Sequence, residues 1–337
     1  MVIGFRFFAP AHRISDHAHP YSICRCHFTR YRQMGTNRAL AQFESALGNN
    51  AIKSQAESYS PPHERAVARL QGLPTTDGCI PWAAERAICL GLPNAQSTAW
   101  SFITLCHAQV TMNDVQLQNP ELLQVTEAES ETLLSDMQPY FAEDGLALHA
   151  LTDLPNTWLV SGEPLRGMHT ASLDRVIGKN IDAWQAKGEH SSNIHRLQNE
   201  MQMLLYTHKV NTARDRSKQL NINSIWFHGS GENCQTNPNE KNSMLQVLML
   251  RNLANAAFDQ DWHAWATAWQ ELDATVGADL LTRANNGEPV SLTLCGEHTA
   301  LRYETKPASA LARTIDKVKS FLDLKPSYLL PKVLFNL

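Results

Sequence analysis

The sequence predicts an α/β protein. Short apolar runs such as Trp100–Val110 alternate with segments whose apolar residues recur at helical spacing. The clearest of these carries Ile194, Leu197, Met201, Leu204 and Leu205 on one face. Alternation of that kind builds helices packed against a sheet. With 337 residues, 43% hydrophobic and 18% charged, the chain has the length and composition of a globular protein with a large core.

Bulk properties exclude several function classes. A formal net charge of -4 draws the chain neither to nucleic acid nor to an anionic membrane. No apolar run approaches the ~20 residues that span a bilayer. The opening Met-Val-Ile-Gly-Phe-Arg-Phe-Phe is interrupted by Arg6, so it lacks the ~7–15 unbroken apolar residues of a signal peptide. Seven cysteines, an odd number scattered mostly in apolar segments, make a poor disulfide framework and suit a reducing cytosol. A cytoplasmic protein is expected.

Residues 1–35 differ from the rest: five Arg, four His and two Cys stand against one acid, Asp16. They form an atypical basic extension whose order the sequence leaves open, and residues 36–337 are expected to form one α/β domain. His17, His19, Cys24, Cys26 and His27 are dense in possible zinc ligands, but their spacing fits no zinc module, and chance clustering is the reading adopted. A helix is expected around Ala39–Leu47, followed by a polar stretch that Pro61 and Pro62 break. Ala66–Leu70 and Trp82–Gly91 are further helices, the second ended by Gly91 and Pro93. Trp100–Val110 reads as a buried strand and Asp114–Leu117 as a shorter one. Thr126 and Glu129 form a capping box for a helix whose apolar face is Leu133, Leu134 and Met137. Ala147–Leu151 and Trp158–Ser161 are expected as paired strands. After the helix over 192–208, Ser224–Phe227 is a short strand ending in a turn, Gly229-Ser230-Gly231. Met244–Leu253, Trp262–Leu281 and Ala308–Leu324 are helices. Pro289–Cys295 and Ala300–Tyr303 are strands around Gly296-Glu297-His298. Trp262, Trp265 and Trp269 fall on one helix face as core packing. Cys106 and His107 are adjacent on a strand, so they point to opposite faces and make no dyad.

One segment carries a family resemblance. Arg196 to His208 is followed by Val210-Asn211, Arg214 and Asn223-Ser224-Ile225-Trp226-Phe227-His228-Gly229-Ser230-Gly231. This resembles the RpfE-type proteins of proteobacteria, distant relatives of cofactor-independent phosphoglycerate mutase, with further similarity at Thr104–Val115, Met137–Leu148 and Asp174–Trp184. Lys209 stands where the family has proline, and Lys218, Leu220 and Asn221 replace a glycine and two prolines. The resemblance implies a three-layer α/β sandwich of the alkaline-phosphatase type, in reduced form. It points to Arg214, Asn223, Gly229, Gly231 and His208 as ligand-binding residues for a small anion, with Lys209, Arg216 and Lys218 nearby. The same residues also suit a helix–turn–strand unit locked by internal hydrogen bonds, with His208 donating to carbonyls at the helix end.

A second echo is Leu294-Cys295-Gly296-Glu297-His298-Thr299. Alkaline-phosphatase-like enzymes place an Asp-His pair after a late strand as metal ligands, and Glu297 and His298 occupy those positions. A two-metal phosphotransferase needs several more acids and histidines and a metal-held hydroxyl nucleophile. Asp77-Gly78 follows no apolar strand, and no Asp-Ser or Asp-Thr nucleophile stands in a suitable context. The expectation is therefore a degenerate, non-catalytic relative without a cofactor, with a regulatory or ligand-binding role and an anionic ligand or a protein as partner. The alternative is a phosphomutase or phosphohydrolase using Mn or Mg at Glu297 and His298.

Overall fold

The computed structural model describes residues 2–4, 47–53, 58–112, 114–232 and 247–305. The chain divides into two compact units, Met1–Ala56 with Gln246–Leu337, and Glu57–Leu245, so the second is inserted in the sequence of the first. The basic extension beyond Val2–Gly4, its His/Cys cluster, residues 39–46 and the helix expected over Ala308–Leu324 lie outside the described residues.

In chain order the elements begin with β1 (Val2–Gly4), β2 (Leu47–Lys53), α1 (Pro62–Leu70), α2 (Trp82–Cys89), β3 (Trp100–Cys106), β4 (Ala108–Val110) and β5 (Val115–Leu117). Next come α3 (Glu127–Glu143), β6 (Ala147–Ala150), β7 (Thr157–Ser161), the single turn α4 (Leu173–Val176), α5 (Ser191–Tyr206), α6 (Lys209–Arg216) and β8 (Ser224–Gly231). The last are β9 (Met249–Leu250), α7 (Asn252–Phe258), α8 (Trp262–Leu272), α9 (Ala278–Asn285), β10 (Ser291–Cys295) and β11 (Thr299–Thr305). The α/β class predicted by the alternation is the class observed.

In the unit Glu57–Leu245 the main sheet has the order β6-β7-β3-β8, and all its pairs are antiparallel. Alternate side chains of β3 face opposite ways, as the period of a strand requires. Ile103 and Leu105 pack with Leu133, Met137 and Phe141 of α3 and with Ile194, Leu197, Met201 and Leu205 of α5. Trp100, with Leu159 of β7, packs on Ala83, Ala84 and Ala87 of α2. Helices thus cover both faces, giving three layers within this unit. α3 starts as its sequence dictates: Thr126 Oγ1 accepts from Glu129 N at 3.3 Å, and Glu129 Oε2 accepts from Thr126 N at 2.9 Å. Leu133 and Met137 are buried, with Leu134 partly so.

The other unit holds a mixed sheet, β2-β11-β10-β1-β9. β1 runs parallel to β9 and β10, and β11 runs antiparallel to β10 and β2. Leu253, Trp269, Leu272 and Leu280 from α7, α8 and α9 pack with Leu292, Leu294 and Tyr303. The tryptophan face expected as core packing is a chain of edge-to-face contacts, Trp262 to Trp265 at 6.4 Å and Trp265 to Trp269 at 5.9 Å, and only Trp269 is fully buried.

Several elements differ from expectation. The polar stretch beginning at Leu47 is an edge strand, because β11 supplies its backbone partners. Pro61 and Pro62 start a helix rather than only breaking one: Pro62 takes the first helical position, where its missing N–H costs nothing. Trp100–Val110 is two strands; the second folds back on β5 as a small hairpin. The segment expected as a helix over Met244–Leu253 carries the strand β9 before α7 begins at Asn252. The helix expected over Trp262–Leu281 is interrupted by a π-turn at Asp273–Gly277 and continues to Asn285.

Candidate functional site

The segment that carries the family resemblance folds as most of α5, α6 and the whole of β8. The structure places a second helix, α6, where the sequence suggests only a turn. His208 is its N-cap: Nδ1 accepts from Val210 N at 3.2 Å. That corrects the expectation of a histidine donating to carbonyls at the end of α5. An accepting Nδ1 leaves the proton on Nε2, which donates to Asp136 Oδ2 at 3.0 Å. Lys209 Nζ lies 3.0 Å from the same oxygen. Hydrogen bonds from Lys209 and then His208 hold the Asp136 carboxyl below the usual carboxylate range.

Arg214 lies in the last turn of α6 and is 1% exposed. Its Nε donates to Leu220 O at 2.7 Å, Nη1 to Glu129 Oε1 at 2.8 Å, and Nη2 to Leu123 O. The guanidinium therefore ties α6 to the start of α3 and to two loops. Burial pushes the Glu129 carboxyl up, but hydrogen bonds from Thr126 and Arg214 outweigh it and the group ends below its ordinary value. Asn211 donates to Leu205 O and Ile222 O and accepts from Ile222 N. Asn223 holds both backbone groups of Ala108, accepting from its N at 2.7 Å and donating to its O at 2.9 Å.

Gly229 and Gly231 lie within β8, not in a turn after it. Gly229 has φ +61°, and a Cβ there would sit 3.0 Å from the Phe102 ring. It produces the register shift between β8 and β3 at Trp100 and Phe102, a bulge that glycine permits without Cβ strain. At Gly231 a Cβ would lie 2.7 Å from Pro81 Cα and 2.9 Å from Cys79 O, so backbone passes too close for any side chain. Asn223 and Gly229 are six residues apart along an extended strand, about 20 Å at ~3.3 Å per residue. The five predicted ligand residues thus lie in two places: His208, Arg214 and Asn223 around α6, and the two glycines at the far end of β8.

Glu297 and His298 form the turn between β10 and β11, closed by Gly296 N donating to Thr299 O at 2.8 Å. Glu297 is half-buried and His298 exposed. Among the described residues no three His, Cys, Asp or Glu side chains gather where one metal ion could be held. Among the described residues Glu297 and His298 are the metal-type donors of that turn, and a two-metal centre needs several more.

Two features of the unit Glu57–Leu245 have no counterpart in the sequence reading. The first is a recess of about 1170 Å³ between α3 and α5, with Asp136, His195, Arg196, Asn199 and Lys209 among its lining groups and His208 at one end. Tyr140 and Met203 also line it and are 42% and 73% exposed. The second is a buried polar cluster. His63 Nε2 lies 3.0 Å from Asp174 Oδ2, with side chains 11% and 12% exposed. Ser172 Oγ donates to Glu64 Oε1 at 2.5 Å, and Trp82 Nε1 to Glu64 Oε2 at 3.4 Å. His228 stacks on Phe102, and its Nε2 meets Thr104 Oγ1 at 2.9 Å; Thr104 in turn meets Thr157. Burial pushes the Glu64 carboxyl up, with Asp174 adding to the rise and His63 and Ser172 opposing it. Burial pushes His228 down to about 4. The cluster draws on residues more than a hundred positions apart. The only local hint was His63-Glu64 directly after Pro61-Pro62, a pair readable as a helix start. Cys106 and His107 are separate, as expected: Cys106 is buried with its thiol pushed up by burial, and His107 Nδ1 meets Asn221 O at 2.8 Å.

No family model matches the chain, and no curated protein does. Solved structures do. A cofactor-independent phosphoglycerate mutase from Thermoplasma acidophilum DSM 1728 is similar with a TM-score of 0.36 and 11% identity, over 91% of this chain and 89% of that one. The PH0037 protein from Pyrococcus horikoshii is similar with a TM-score of 0.42 and 9% identity, over 90% of this chain and 86% of that one. Likeness of this depth carries no argument about chemistry.

Proposed function

We propose that the chain is a phosphoglycerate-mutase-like protein of the RpfE type with a binding or regulatory role rather than a catalytic one. The observation that carries this reading is the inward use of the resemblance segment. Arg214, Asn211 and Asn223 spend their polar groups on backbone carbonyls, backbone amides and Glu129. A guanidinium that is 1% exposed and already bonded through all three nitrogens supports a bracing role for Arg214 rather than a grip on phosphate. The recess along α5 is where a ligand or peptide would lie, since exposed Met203 and Tyr140 line it beside Lys209, whose ammonium meets Asp136 through only one of its three donors.

The competing reading is a Mn- or Mg-dependent phosphomutase or phosphohydrolase centred on Glu297 and His298. One experiment separates the two. Purified protein is assayed for interconversion and hydrolysis of 3-phosphoglycerate with Mn or Mg, alongside elemental analysis. The binding reading expects no turnover and no stoichiometric divalent metal. Turnover, or two metals per chain, that disappears in Glu297→Ala would establish the enzymatic reading instead. Thermal melts with 3-phosphoglycerate and with inorganic phosphate then test for an anionic ligand. A rise lost in Lys209→Ala would place the anion in the α5 recess.

A further inference from the structure

Asn286-Gly287 is the only Asn-Gly step in the sequence. It lies where α9 hands over to β10, and both residues are exposed. Asn286 is the C-cap of α9, with φ −74° and ψ −8°, and Gly287 follows at φ +83°. Gly287 N donates to Ala284 O at 3.0 Å and Glu288 N to Arg283 O at 3.0 Å, the paired bonds that close a helix on a left-handed glycine. Where an apolar contact frequently backs such a cap, Arg283 Nε meets Glu288 Oε2 at 2.8 Å, with side chains 48% and 46% exposed. The cap therefore rests on bonds open to water, and it opens at the low end of local stabilities.

We propose that Asn286 is a self-modification site: as the last turn of α9 frays, its side-chain amide is lost, and the aspartate or isoaspartate that results loosens the junction of α9 with β10 irreversibly. The chemistry needs only water. The Gly287 nitrogen gives up its proton and bonds to Asn286 Cγ. The Cγ–Nδ2 bond breaks, and the amide nitrogen leaves with that proton as ammonia. Water then opens the five-membered imide at one of its two carbonyls. Cleavage at Cγ restores the normal chain with an aspartate. Cleavage at the backbone carbonyl leaves isoaspartate, whose chain runs through Cγ. Overall an amide and a water become a carboxylic acid and ammonia, with no change of oxidation state.

Two features set the rate in opposite directions. Glycine has no Cβ to crowd the attacking nitrogen, so this step is faster than at an asparagine followed by a larger residue. The closed cap works against it, because the Gly287 N–H is committed to Ala284 O and is released only as the cap opens. Asn223, which precedes Ser224, is the contrast: both ends of its amide are held by Ala108, at 2.7 and 2.9 Å. The product disturbs the fold in two ways. A new carboxylate at the C-terminal end of α9 meets the negative end of the helix dipole. Isoaspartate also lengthens the main chain, so Gly287 N and Glu288 N cannot both keep their partners. Shortly beyond, Val290 ties the start of β10 to Thr305, its N donating to Thr305 Oγ1 at 3.0 Å and its O accepting from Thr305 N at 3.0 Å.

Peptide mapping by mass spectrometry on the full chain tests this. Purified protein is incubated at mildly alkaline pH, folded and in urea, then digested at mildly acidic pH and read for aspartate and isoaspartate. Among the described residues Asn286 should be the first asparagine to convert, to both products, while Asn223 stays intact in the folded chain. The folded chain should convert more slowly than the unfolded one, but by no more than about a hundredfold. Hydrogen exchange then reads the consequence. Peptides over 278–292 should lose protection as conversion proceeds, and in fresh Asn286→Asp, whereas aged Asn286→Gln should keep it. Equal rates in folded and unfolded chain overturn the proposal, as does a folded chain slower by more than about a hundredfold. So does another described asparagine converting first, or exchange that conversion leaves unchanged. If either variant does not fold, exchange in converted against fresh wild type decides.

Discussion

Replacing Arg214 by alanine removes three buried donors at once. It strands the Leu220 and Leu123 carbonyls and the Glu129 carboxylate, whose side chain is 19% exposed. Breaking a buried ion pair from one side costs about 3–5 kcal/mol, because the remaining charge has lost its partner. Two orphaned carbonyls add to this, while water entering the vacated space offsets part of it. We expect a loss of about 4 kcal/mol, read by urea unfolding followed through tryptophan fluorescence. Arg214→Lys should recover only part, since an ammonium cannot reproduce the planar fork that reaches three acceptors. The acid side gives a second readout. Glu129 is held below its ordinary value of 4.5, so its contribution is present above that pH and is lost as the pH falls through the lowered value. Arg214→Ala should flatten this acid loss. A destabilisation under about 1 kcal/mol, together with loss of an anion-induced rise in melting temperature, would refute the bracing role and make Arg214 a ligand group.

The other mutations follow from burial and backbone geometry. Leu205 is fully buried whereas Leu204 is only half-buried, so Leu205→Ala should cost about 2–5 kcal/mol and Leu204→Ala about 1–2 in the same urea melts. Equal losses would mean the buried face of α5 is rotated from the one described. Gly229→Ala places a side chain at φ +61° and should cost about 1–3 kcal/mol. Gly231→Ala should cost more, because its Cβ meets backbone that cannot swing away. A Gly231→Ala protein melting with the wild type would contradict that packing.

What was legible in the sequence was what local physics decides. The capping box at Thr126 and Glu129 and the apolar stripe of α5 each lie within a few turns of chain, and both formed as predicted. α6 was not legible because packing supplies what its sequence lacks: its buried residues include Asn211 and Arg214, which a search for apolar periodicity does not see. β2 failed for a related reason. An edge strand reading Leu-Gly-Asn-Asn-Ala-Ile-Lys has no alternation to find, and its partner β11 lies some 250 residues away. The His63–Glu64–Asp174–His228 cluster is purely tertiary, and no spacing rule connects residues joined only by the folded chain.

Gly231 bears on how such proteins are compared. The close passage of Pro81 and Cys79 by itself requires that it carry no side chain. In an alignment, a glycine retained for that reason is indistinguishable from one retained for a phosphate. The two histories predict different company. A ligand glycine should vary with the groups that hold the ligand, whereas Gly231 should be freed to drift in any descendant whose 79–81 loop is shortened or rerouted. Tracking that pair of positions across related lineages would show whether the Gly-Ser-Gly pattern marks inherited chemistry or an inherited crossing of two backbones.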